Sequence, residues 1–196
     1  MLWWGITFTR MQQMSESDMY ARLALADETA GLRAWSWTMA NQRPAAKSLF
    51  RSFVVEGLDL AALRDDSADV CTATLGRILA LEGVGDYAPE LGELRPLDGA
   101  AVVRVDAYTL VAELAGALNR EAGECRHRAA TLRRDLSLAQ TALLDMVEGQ
   151  DPICFLAHRP WCAYLDAADT SLSAMVILPR QRKLKLLLAT WPAPPA

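Results

Sequence analysis

Between Val111 and Met146, small or apolar residues recur at alternating steps of four and three without a break: Val111, Ala115, Leu118, Ala122, Cys125, Ala129, Leu132, Leu136, Ala139, Leu143 and Met146. That spacing is a heptad seam, with Ala115, Ala122, Ala129, Leu136 and Leu143 at a and the rest at d. It predicts one long helix over about 106–148. In its centre the flanking e and g positions are all polar: Asn119, Glu121, Arg126, Arg128, Arg133 and Asp135. Toward the ends they turn apolar, at Leu114, Ala142 and Val147. The centre therefore reads as a narrow seam touching one partner helix, and the ends as faces buried in a bundle. Alanine at successive a positions allows close approach but buries little area. At about 25 cal/mol per Å2 such a seam is weak alone. It needs an antiparallel partner within the chain or a second subunit.

The rest of the chain reads mostly as helix. Ser15 and Asp18 mark a start for a helix over 16–41, with Gly31 weakening its middle by about 1 kcal/mol. Pro44 suits a first turn, Leu49, Phe50, Phe53 and Val54 one buried helical face, and Gly57 a stop. Asp66 or Ser67 caps a further helix through Val70, Thr74, Leu75, Ile78 and Leu79 to Gly83. The glycines and prolines of 83–99 read as a loop, and "AAVVRVDAY" as a short strand or a helix lead-in. Pro160 divides 152–168 into two short helical pieces, and 171–191 fits a hairpin or a last helix. The expected fold is mainly α, a helical bundle with one coiled-coil-like helix and a small β element near the termini. The organisation read from the chain is an N-terminal arm (1–14), a helical region (15–83), an acidic Gly/Pro-containing linker (84–105), the long helix with a C-terminal helical or hairpin region (106–191), and a Pro-rich tail (192–196).

Charge narrows the function classes. The net charge is −4, and residues 56–106 carry four Lys/Arg against eleven Asp/Glu, which argues against a global basic field for nucleic acid. The arginines at 120, 126, 128, 133 and 134 suit helix pairing better than phosphate binding. Four cysteines without a CxxC read as reduced thiols in a cytoplasmic protein. The apolar start "MLWWGITFTR" is too short for a membrane span, so no membrane is expected.

Cys154-x3-His158-x3-Cys162 is the most site-like stretch. Zinc prefers four ligands, and Pro160 breaks the helical face that would align these three. Buried thiols in a core fit better, so no metal or other cofactor is expected. Phosphate-loop, nucleophile-elbow and HExxH patterns do not occur. Six tryptophans are many for 196 residues, and Trp35 and Trp37, two apart on a helix, cannot both face one core.

These readings point to a non-enzymatic adaptor or scaffold subunit that docks helix to helix in a larger assembly, with a homodimer as one form. The expected interface is Leu118, Ala122, Cys125, Ala129, Leu132 and Leu136 with the rim Arg126, Arg128 and Arg133, joined by Trp35 and Trp37. The alternative is a helical regulatory domain binding a small ligand or metal between helices.

Overall fold

The computed structural model describes residues 19–23, 29–42, 45–119, 129–168 and 170–192. Its centre is a six-stranded antiparallel sheet: β1 (Tyr20–Leu23), β2 (Lys47–Glu56), β3 (Val102–Val105), β4 (Ile153–Ala157), β5 (Thr170–Leu178) and β6 (Lys183–Trp191). The spatial order is β1-β2-β6-β5-β4-β3. Five α-helices, with short 3-10 turns between elements, complete the described fold: α1 (Ala30–Gln42), α2 (Ala68–Leu79), α3 (Glu82–Tyr87), α4 (Ala107–Asn119) and α5 (Ala129–Val147).

Both faces of the sheet are covered. On one, Phe53, Val55, Phe155, Met175, Ile177, Leu186 and Leu188 pack against Cys71, Leu75 and Ile78 of α2 and Val84 of α3. On the other, Phe50, Leu156, Ala174, Val176, Leu187 and Ala189 pack against Leu32 and Trp35 of α1, Leu110 and Leu114 of α4, and Ala142 and Met146 of α5. This double cover explains the composition of β5 and β6. From Leu172 to Leu178 and from Leu184 to Trp191 every residue is buried, so the alternation of an open-faced strand is absent.

The all-α, coiled-coil reading is thereby corrected. Residues 47–56, expected as helix, form β2, whose 49/50/53/54 apolar set divides between the two faces: Leu49 and Phe53 on one, Phe50 on the other. Residues 153–157, expected as helix, form β4. The hairpin at 171–191 is no peripheral element; β5 and β6 are the two central strands. Helix α1 begins at Ala30, so Gly31 sits in its first turn. The helix capped by Ser67 is present as α2, with the Ser67 hydroxyl accepting from the Val70 N–H at 3.5 Å.

The heptad stretch is two helices folded against each other. The Gly31 N–H donates to Asp145 Oδ2 at 2.6 Å, near the end of α5. Trp35 Nε1 donates to the Leu114 carbonyl at 3.0 Å. The amide of Gln42 lies between the Leu118 carbonyl and the Arg134 guanidinium. These contacts run α1 parallel to α4 and antiparallel to α5, which makes α4 and α5 antiparallel neighbours. A 4-3 pattern states which side of a helix is apolar and leaves the partner open. Here the sheet offers Leu172, Ala174, Val176, Leu187 and Ala189 to that side, a larger apolar surface than a second alanine seam would supply.

Candidate functional site

The described residues expected to form one interface divide between the core and the surface. Leu118 is buried in the helical core, Leu136 is partly buried against it, and Trp35 is fully enclosed. Leu132 and Arg133 are exposed on α5. Ala129 opens α5. Ala122, Cys125, Arg126 and Arg128 lie outside the described residues.

Trp35 and Trp37 part company as their spacing requires. Trp35 points inward and its indole N–H is satisfied by Leu114. Trp37 is 71% exposed. Trp161 and Trp191 are buried, and Trp161 Nε1 donates to Ser173 Oγ at 2.7 Å. Trp37 is thus the one described tryptophan that faces solvent. Leu144 and Leu132, at 66% and 47% exposure, lie on α5 in the same helical layer.

The Cys-His-Cys stretch does not converge. Cys154 lies on β4 in the core beneath α1, α4 and α5. Cys162 lies in the core on the opposite face. His158 between them is exposed in the turn after β4. Among the described residues, no group of three or more His, Cys, Asp or Glu is placed to hold a metal ion. Burial pushes the Cys154 thiol up to about 12 and raises those of Cys71 and Cys162, so all three remain protonated at neutral pH.

A charged cluster built on the basic run at 179–185 closes the foot of the helical layer, buried and paired where the sequence shows only a run of like charge. Lys185 on β6 is only 2% exposed. Its ammonium is hydrogen-bonded to Glu148 and lies 3.4 Å from the Asp145 carbonyl. Lys183 Nζ reaches the same carboxylate at 2.9 Å and 3.1 Å. Glu148 follows α5 in the left-handed region, at φ 51°. Burial works against its charge, yet the hydrogen bonds from Lys185 and Lys183 prevail and hold its carboxyl at about 2. Burial also lowers Lys185, against the pull of Glu148. The signal was present in "KLKLLLATW": Lys185 shares parity with Leu187 and Ala189, which face the helical core. Ser52 stands opposite Lys185 across β2 and β6, buried, and its hydroxyl has no partner among the described residues.

Two clefts flank β3. One, of about 540 Å3, is lined by Asp69, Thr72, Pro96, Asp98, Ala101 and Val102 among others. The other, of about 410 Å3, is lined by Arg64, Arg104, Val105, Asp106, Ile153 and Cys154 with Pro152. There the guanidinium of Arg104 holds the Leu63 and Arg64 carbonyls, and that of Arg64 pairs with Asp151. Among the described residues, no helix is long and apolar enough to cross a membrane.

No family model, no curated protein and no solved structure matches this chain.

Proposed function

We propose that this chain is a non-catalytic subunit that docks onto a protein partner through the outer surface of its helical layer, with Trp37 as the anchor. The exposure of Trp37 carries the reading. The other described tryptophans are enclosed, two of them with their indole N–H bonded inside, whereas Trp37 presents its ring to water. Tryptophan is the residue type most enriched at binding hot spots, because it buries a large area and keeps a polar handle. Leu132 and Leu144 add apolar area on the neighbouring helix.

Among the described residues, the buried lysine and the three thiols support a non-catalytic role. The Lys185 amine is tied to Glu148, and the thiols of Cys71, Cys154 and Cys162 are held protonated. The mode of docking in this reading is a helical surface on an α/β body, and no coiled coil is involved.

The test is elution of the chain from extracts of the cells that make it. The wild-type chain is expected to elute in a complex with a second protein. Trp37→Asp is expected to leave that complex while melting at the same temperature, and Leu132→Asp to weaken it. A Trp37→Asp variant that keeps the complex, or a wild-type chain that elutes with no second protein, overturns the reading.

A further inference from the structure

We draw no further inference here: the strongest candidate, the cleft of about 540 Å3 between the first turn of α2 and β3 with Asp69 and Asp98 on its walls, is an acidic pair beside a strand edge that no other described strand pairs, and nothing in the structure shows what covers it.

Discussion

At the scale of single residues, Lys185 and Glu148 show how a buried charge is tolerated. Lys185 sits in a core position, and its cost is met by a carboxylate that the turn after α5 delivers to it. Without the carboxylate, Lys185 stays buried and uncompensated, whereas Glu148 is part-exposed and keeps Lys183 when an apolar side chain replaces Lys185. Glu148→Gln is therefore expected to cost about 3 kcal/mol in urea unfolding at neutral pH, and Lys185→Met close to nothing. The pH dependence has a definite sign. The Glu148 carboxyl lies at about 2 in the folded chain against an ordinary 4.5. Between those values the unfolded chain binds the proton more readily, so stability falls as pH drops through that window and is fully present above it. Thermal melts from pH 6 to pH 2 should show this loss in the wild type, and a smaller loss in Lys185→Met.

At the scale of elements, the crossing of α1 over α5 is set by Gly31. A Cβ there would lie 2.5 Å from Asp145 Oδ2 and 2.9 Å from the Thr141 carbonyl carbon. Helix propensity alone favours alanine over glycine by about 1 kcal/mol. The contact reverses that sign, because α5 backbone and the Asp145 cap stand in the way. Gly31→Ala is expected to lower stability by about 1–3 kcal/mol, the usual cost of overpacking, measured by the shift of the urea midpoint with an unchanged slope. The helix expected over 16–41 is shortened because Tyr20–Leu23 pair with β2 as β1, and α1 begins only at Ala30. The helix takes its first-turn N–H partner from Asp145, far away in sequence, while the cap-like Ser15 lies outside the described residues.

At the scale of the whole molecule, β6 holds the fold together. It pairs with β2 over eight positions and with β5 over nine, and it contributes to both cores. A chain ending at Leu178 loses the centre of the sheet while keeping every helix. It is expected to show no cooperative thermal transition, by far-UV circular dichroism or calorimetry, although α1, α2, α4 and α5 remain in its sequence.

The sequence made legible the buried side of α2 and its Ser67 cap, most of the apolar stripe of α4 and α5, and the separation of Trp35 from Trp37. These are local matters of spacing and backbone chemistry, complete within a few residues. It did not determine the fold class, because an apolar run such as 172–178 fits a buried helix and a strand covered on both faces equally well, and the spacing of Leu49, Phe50, Phe53 and Val54 fits one helical face. Long-range pairing settled the choice, by bringing β2 to β6 across more than a hundred residues and giving both faces of the sheet a helical cover. It also decided the fate of the heptad seam. Ala115, Leu118, Ala139, Leu143 and Met146 are buried as their periodicity requires, but Leu132 is exposed, since the sheet and α1 reach only part of that stripe. The pairing of Lys185 with Glu148 was decided in the same way: the parity of "KLKLLLATW" places Lys185 with the core residues of its strand, but only the strand order sets it inside the sheet, where a distant carboxylate must meet it.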